Sequence, residues 1–402
     1  MPSDEGVNLP IGTRRKTRQV SIGGVTVGGD APVRVQSMCS TDTADVQATV
    51  DQILELEEAG CEIVRVAVPD GRAARALPAI RERIHIPLVA DIHFDYRLAL
   101  ESIEAGVDKV RLNPGNILLK HGWKGVEAVV EAALERRIPI RVGVNSGSIE
   151  APLLEKYGYP TPEAAVESAM GHVRLLERMG FHDIVLSVKF SDVPRTVDAY
   201  TLLSRATDYP LHLGVTESGT SWAGTVKSAA GLGTLLAQGI GDTLRVSLTT
   251  PDKTEEVRVA YEILKALEIR ARGPVLTSCP TCGRTEVDLL KLARQVEDAL
   301  ARVKTELHVA VMGCVVNGPG EAAEADLAVV GGRGAVAIYR KGRLLRRVPE
   351  SDAGRALLEE IERWEQDGEG RGKLPGRHTD DTRGWDPVRR ATKSLVSGGD
   401  TP

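Results

Sequence analysis

Cysteine is scarce in this chain, with five in 402 residues. That excludes a disulfide framework of the secreted kind. It points to a reducing cytoplasm, where a Cys-x-x-Cys pair is more often metal-binding or redox-active. Aromatic residues make up only 3%, so the core is expected to be built from Val, Leu, Ile and Ala. No apolar run approaches the roughly 20 residues needed to cross a bilayer. The basic N-terminus, with Arg14, Arg15, Lys16 and Arg18, lacks the apolar stretch of a signal peptide. A formal net charge of −5 leaves no general affinity for nucleic acid or an anionic membrane.

What is present is a repeating pattern. At 402 residues the chain is too long for one ordinary compact domain unless part of it is a large single-core architecture. Short β-branched runs at Val33–Met38, Glu62–Val68, Pro87–Asp91, Lys109–Leu112, Ile138–Val144, Asp183–Val188, Leu211–Val215 and Thr243–Leu248 each precede an amphipathic stretch. The first such stretch, Thr43–Ala59, is expected to be a helix capped by Thr43. Eight strand–helix units match a (β/α)8 TIM barrel. A doubly wound sheet seldom needs eight successive parallel units, and no Gly-x-Gly-x-x-Gly follows the first strand. From Gly273 the character changes to a smaller α+β unit. Its expected strands are Val275–Ser278, Leu307–Met312, Leu327–Val330, Ala335–Tyr339 and Leu344–Val348, with helices over Glu286–Val303 and Glu350–Glu365. The domains expected are thus 1–268 (barrel), 269–366 (second unit) and 367–402 (a disordered tail rich in glycine and charge).

Barrel chemistry lies at the C-terminal ends of the strands. Those ends carry Arg65, Asp91-Ile-His93, Arg111-Leu-Asn113, Arg141 with Asn145, Lys189, Glu217, and Arg245 with Ser247. Arginine and lysine inside apolar strands are costly unless an anion meets them. Arg65, Arg111, Arg141 and Lys189 together fit a multiply charged ligand such as a diphosphate, with Asn145 and Ser247 as neutral donors. Glu217, in Gly214-Val-Thr-Glu217, is the carboxylate expected among those cations. It would be a general acid or hydroxyl acceptor, or else one half of a structural ion pair.

Three of the five cysteines fall together: Cys279-Pro-Thr-Cys282, then Cys314, with Glu321 closing Asn317-Gly-Pro-Gly-Glu321 and no fourth cysteine following. A structural zinc site or a sealed iron–sulfur cluster normally uses four strong ligands. Three thiolates and at most one weak oxygen ligand leave one metal position open. Zinc would need another ligand near Cys314. His308, six residues earlier, is not at the usual zinc spacing but leaves that alternative open. Cys61 reads as a small buried hydrophobe and Cys39 as packing at the end of the first strand.

From about Val33 to Val348 the chain resembles the 4-hydroxy-3-methylbut-2-enyl diphosphate synthase family, iron–sulfur enzymes of the non-mevalonate isoprenoid pathway. The resemblance rests on Val64-Arg-Val-Ala-Val-Pro69, Ala90-Asp-Ile-His-Phe-Asp-Tyr-Arg97, Arg111-Leu-Asn-Pro-Gly-Asn116, Arg141-Val-Gly-Val-Asn-Ser-Gly147, Leu213-Gly-Val-Thr-Glu217, Gly239-Ile-Gly-Asp-Thr-Leu-Arg-Val-Ser-Leu-Thr249, Ser278-Cys-Pro-Thr-Cys-Gly-Arg284 and Met312-Gly-Cys-Val-Val-Asn-Gly-Pro-Gly-Glu321. Cys39 stands where the family would have threonine. The resemblance implies a barrel followed by a cluster domain, with a [4Fe–4S] cluster on Cys279, Cys282 and Cys314 and Glu321 weakly on the fourth iron. It implies a diphosphate grip by Arg65, Arg111, Arg141, Asn145, Lys189 and Ser247, Glu217 near a departing hydroxyl, and Asn317 beside the cluster loop. The implied reaction is reductive ring opening and dehydroxylation of 2-C-methyl-D-erythritol 2,4-cyclodiphosphate, with ferredoxin or flavodoxin as electron donor. It further implies a homodimer in which the cluster domain of one subunit caps the partner's barrel.

Overall fold

The computed structural model describes residues 14–367 apart from 301, 302 and 304. Residues 1–13 and, from 368 onward, the expected tail lie outside the described residues. The chain divides into two compact units, Met1–Arg270 and Ala271–Pro402.

The first unit opens with a two-stranded antiparallel hairpin, β1 (Val20–Ile22) and β2 (Val25–Val27). Eight parallel strands follow: β3 (Arg34–Met38), β4 (Ile63–Ala67), β5 (Leu88–Asp91), β6 (Lys109–Leu112), β7 (Ile140–Asn145), β8 (Ile184–Lys189), β9 (His212–Leu213) and β10 (Thr243–Leu244). Their order is β8-β7-β6-β5-β4-β3-β10-β9, and a parallel bridge between Leu186 and Leu211 closes the ring. All eight expected strands are present, β6 with the expected bounds and β9 and β10 cut to two residues each, so the (β/α)8 barrel is the observed architecture. The strands carry β-branched and aliphatic residues because both sheet faces are covered. Their outward side chains pack with the helix faces into one continuous aliphatic core that includes Val64, Val66, Ile140, Leu186 and Leu213.

The hairpin was not legible in the sequence. Val20, Ile22 and Val27 are buried against Ile63, Val89 and Val185, inward residues at the lower ends of three barrel strands, and so plug the barrel floor. Arg14 and Arg15 fasten the incoming chain. Arg14 donates to the carbonyls of Gly29 and Ala31, and Arg15 to those of Thr207 (2.6 Å) and Tyr209 (2.7 Å). One cap also differs from expectation. The first helix runs Val46–Ala59, and Asp45 caps it by accepting from the Ala48 N–H. The Thr43 hydroxyl donates instead to the Ala67 carbonyl at 2.6 Å, tying the loop to the end of β4.

The second unit is a five-stranded sheet in the order β11 (Val275–Ser278), β12 (His308–Met312), β13 (Leu327–Gly332), β14 (Ala335–Arg340) and β15 (Arg343–Val348). The first three strands are parallel and the last two antiparallel. The helices Leu289–Leu300 and Ala353–Gln366 cover one face through Leu292, Val296, Leu357, Ile361 and Trp364. The expected helix from Glu286 begins at Leu289, and a short helix, Gly318–Glu324, lies where none was expected.

If the hairpin is a packed plug, Ile22→Ala should lower stability by about 2–5 kcal/mol, as large-to-small core changes do. Leu119→Ala, at a side chain 80% exposed, should fall within about 0.5 kcal/mol. Urea unfolding of the two variants checks this, and equal midpoints would exclude the plug.

Candidate active site

The upper end of the barrel holds a polar cavity of about 140 Å³. Arg65, Arg111, Arg141, Asn145, Lys189 and Ser247, six residues singled out from strand ends, all line it, together with Asp91, His93, Ser187, Val215, Thr216 and Arg245. Strand parity explains the convergence. Arg65 on β4, Asp91 on β5, Arg111 on β6, Arg141 and Asn145 on β7 and Lys189 on β8 occupy inward positions, and register places Arg65 beside Val89, Asp91 beside Arg111 and Asn145 beside Lys189. Two glycines make room for the long cationic side chains. A Cβ at Gly143 would lie 2.5 Å from Arg111 Nε, and one at Gly214 would lie 2.6 Å from Lys189 Nζ.

The charges are unbalanced. Asp91 takes Arg111 at 3.0 Å, Arg65 at 3.6 Å and His93 at 3.7 Å. Glu256, on the helix Thr254–Ala266, takes Arg245 and Lys253, each at 3.2 Å, and accepts from the Ser37 hydroxyl. Arg141 and Lys189 have no carboxylate within salt-bridge distance, although both are buried. Burial and the neighbouring cations push both well below their ordinary values. Arg65 is lowered to about 10, chiefly by burial. For Asp91 burial acts upward, but Arg65, the bond from His93 and Arg111 outweigh it and hold the carboxyl well below its usual range. An anion entering this cavity would relieve the repulsion and satisfy the buried donors, and guanidinium forks would grip its oxygens in pairs.

Glu217 does not join the cations. It is exposed in the loop after β9 and does not line the cavity, whereas its neighbour Thr216 does. Its φ of 52° is left-handed, unusual for a residue with a side chain. The loop is fixed around it. The Thr216 N–H donates to the Phe190 carbonyl at 3.1 Å, the Ser218 hydroxyl to the Ser247 carbonyl, and the Thr249 N–H to the Gly219 carbonyl at 2.9 Å. The acid among the cations is Asp91, which sequence parity could have assigned. Nothing in the sequence marked Glu256, which reaches the barrel from a helix.

In the second unit, Cys279 and Cys314 follow the C-terminal ends of the adjacent parallel strands β11 and β12. Hydrogen bonds stitch the two loops together. The Cys279 N–H donates to the Val311 carbonyl (3.0 Å) and the Glu286 N–H to that of Gly313 (2.9 Å), while the Cys282 N–H donates within its own loop to Thr285 Oγ1 (3.1 Å). Thr281 adopts a left-handed φ of 65° in the Cys-Pro-Thr-Cys turn. Cys314 is buried, Cys279 half-buried and Cys282 exposed, and all three are free thiols. Glu321 is half-buried in the helix Gly318–Glu324, with exposed Asn317 just before it. No three His, Cys, Asp or Glu side chains stand close enough to hold a single metal ion among the described residues. The donor set is nevertheless thiol-rich and carried on two coupled loops. That chemistry suits an iron–sulfur cluster, which is wider than one ion and is bound by thiolates. His308 is no candidate partner for Cys314. It opens β12 at the end opposite the cysteine loops, and its ring meets Thr277 Oγ1 on β11 at 2.7 Å. Cys39 and Cys61 pack in the barrel core, and burial pushes both thiols up to about 12.

The fold and the site define a TIM-barrel protein with an excess of buried cations at the barrel mouth and a thiol-bearing second unit. Comparison with known proteins makes this more particular: the chain belongs to the GcpE family. The GcpE TIM-barrel domain matches residues 17–261 and the GcpE protein C-terminal domain residues 275–363. Among similar relatives is a protein of Geobacter sulfurreducens named 4-hydroxy-3-methylbut-2-en-1-yl diphosphate synthase (flavodoxin). It is 60% identical over 350 residues, covering 87% of this chain and 98% of the relative. Relatives of the same name occur in Bacillus cytotoxicus (57% identical, covering 87% of this chain and 94% of the relative) and Geobacillus thermodenitrificans (56%, covering 87% and 92%).

Asp91→Asn should cost about 3–5 kcal/mol by leaving Arg65 and Arg111 unpaired. Because the folded carboxyl titrates below its unfolded value near 3.9, its contribution is complete above about pH 4 and fades as pH falls further. The stability gap between wild type and variant, read from urea curves, should therefore be wide at pH 7 and narrower at pH 3. A constant gap would show that Asp91 is not held by the cations.

Proposed function

We propose that this protein is a 4-hydroxy-3-methylbut-2-en-1-yl diphosphate synthase. It would reductively open and dehydroxylate 2-C-methyl-D-erythritol 2,4-cyclodiphosphate with electrons from flavodoxin. The observation that carries this reading is a mouth in which Arg141 and Lys189 are buried without an acid partner, in a chain 60% identical to a relative bearing that name. A cyclic diphosphate supplies the negative charge those side chains lack.

Arg65, Arg111, Arg141 and Lys189 bind the diphosphate, and Asn145 and Ser247 donate to its neutral oxygens. Asp91 braces Arg65 and Arg111, and the barrel wall confines the others, so the donors need little reorganisation when charge shifts during ring opening. Glu217, exposed on the loop after β9, would accept from or protonate a substrate hydroxyl once substrate is bound. No helix among the described residues is long and apolar enough to cross a membrane, and the unpaired thiols favour a reducing cytoplasm.

A [4Fe–4S] cluster on Cys279, Cys282 and Cys314, with Glu321 as a weak oxygen ligand, would relay the two electrons from flavodoxin one at a time and offer a Lewis-acidic iron. Asn317 would stand beside it. The reading includes a homodimer in which the cluster domain of one subunit caps the partner's barrel, closing the site to water.

Lys189→Ala should lower turnover of the cyclic diphosphate by reconstituted protein about 10²–10³-fold, the loss expected for one preorganised donor. Unchanged turnover would remove the mouth from the reaction. The shared site has its own check: Arg141→Ala and Cys279→Ser variants, each inactive, are co-refolded. Capping in trans restores activity in the mixed dimer, which has one intact barrel facing one intact cluster domain. No recovery would place both halves of the site in one chain.

A further inference from the structure

Inward-pointing layers of such barrels are usually dominated by branched apolar side chains. The inward Ile63, Val89 and Val185, sealed by the hairpin, obey. Their register partners Gln36, Lys109 and Arg141 do not, and with the inward His212 they make a buried polar layer. Gln36, Lys109, Arg141 and His212 are 2%, 0%, 1% and 0% exposed. Lys109 lies two residues before Arg111 on β6 and so points inward like it. Its only hydrogen bond is a long one, 3.4 Å to Gln36 Oε1. His212 Nδ1 meets Thr243 Oγ1 at 2.7 Å. Gln36 Nε2, His212 Nε2, and Arg141 Nε and Nη1 are buried without a partner.

Almost every group in this layer is a donor. Lys109 carries three protons, the Gln36 amide two, and Arg141 has two unpaired nitrogens. His212 donates through Nε2 when Nδ1 accepts from the Thr243 hydroxyl. The acceptor side offers only Gln36 Oε1 and the Thr243 hydroxyl oxygen, too few for these donors. No carboxylate is at hand, because Asp91 is engaged by Arg65, Arg111 and His93, and Glu256 by Arg245 and Lys253. Buried donors, and above all buried charges, are not left without a partner. Water fits poorly, since each molecule brings two protons of its own that need acceptors.

We propose that the barrel holds a small monovalent anion of chloride size in this layer, bound by Lys109, Gln36 and His212 and by the inner edge of Arg141. The site is distinct from the cavity above, which Gln36, Lys109 and His212 do not line. Arg141 belongs to both and is steadied from below. Without a counter-ion, burial with Arg141 and Arg65 nearby lowers the Lys109 ammonium well below its ordinary range. The anion keeps it charged.

The test is a crystal structure of the holoenzyme grown in bromide, with data collected at the bromine absorption edge and inorganic pyrophosphate filling the mouth. The expected result is an anomalous peak in contact with Lys109 Nζ and Gln36 Nε2 that pyrophosphate does not displace. An interior with water alone, or bromide only at the mouth, would overturn the proposal. In solution, replacing chloride by gluconate at constant ionic strength, with pyrophosphate present, should lower the wild-type Tm by several degrees. Lys109→Met should abolish that dependence, and Gln36→Leu should weaken it if the lysine variant does not fold. A wild-type Tm indifferent to halide would contradict the site.

Discussion

Uncompensated positive charge inside a closed barrel is the constraint on which the rest of the structure turns. Arg65, Lys109, Arg111, Arg141, Lys189 and Arg245 face inward, and only Asp91 and Glu256 answer them. Such an interior is a poor core by itself, because each buried cation carries a desolvation cost that packing cannot recover. The apolar shell between strands and helices, together with the hairpin plug, must therefore supply the stability. In return the mouth is preorganised for an anion.

Much of this was legible in the chain because barrel strands obey simple rules. Lys109–Leu112 shows both its strand character and, through Arg111, its inward face. The same parity delivers Arg65, Arg141 and Lys189. What the sequence hid has identifiable physical causes. The hairpin strands are only three residues long, too short for a period-2 pattern to register. Glu256 reaches the barrel from a helix whose acidic first turn reads equally well as a favourable dipole contact. Glu217 was expected among the cations from its place at a strand end, but it is exposed in a loop with a left-handed φ and does not line the cavity, and backbone sign is invisible at a non-glycine position.

The second unit follows a similar economy. Parallel pairing of β11 with β12 brings two loop starts side by side, so cysteines 35 residues apart in sequence, Cys279 and Cys314, occupy neighbouring loops. Hydrogen bonds from Cys279 and Glu286 then lock those loops together. On the proposed reading, three thiols and one half-buried acid would give a ligand set with one weak member, which a substrate oxygen could displace. A cationic cavity alone would suit many barrel enzymes acting on phosphorylated metabolites. The thiol loops narrow that field, and membership of the GcpE family is consistent with both halves.

The central claim is that the buried cations exist for the diphosphate. A crystal structure of the protein with 2-C-methyl-D-erythritol 2,4-cyclodiphosphate tests it most directly. The account predicts phosphate oxygens within hydrogen-bond distance of Arg65, Arg111, Arg141 and Lys189, with Asp91 still paired to Arg65 and Arg111. A diphosphate bound elsewhere, or a mouth in which Arg141 and Lys189 stay unpartnered beside bound substrate, would contradict it.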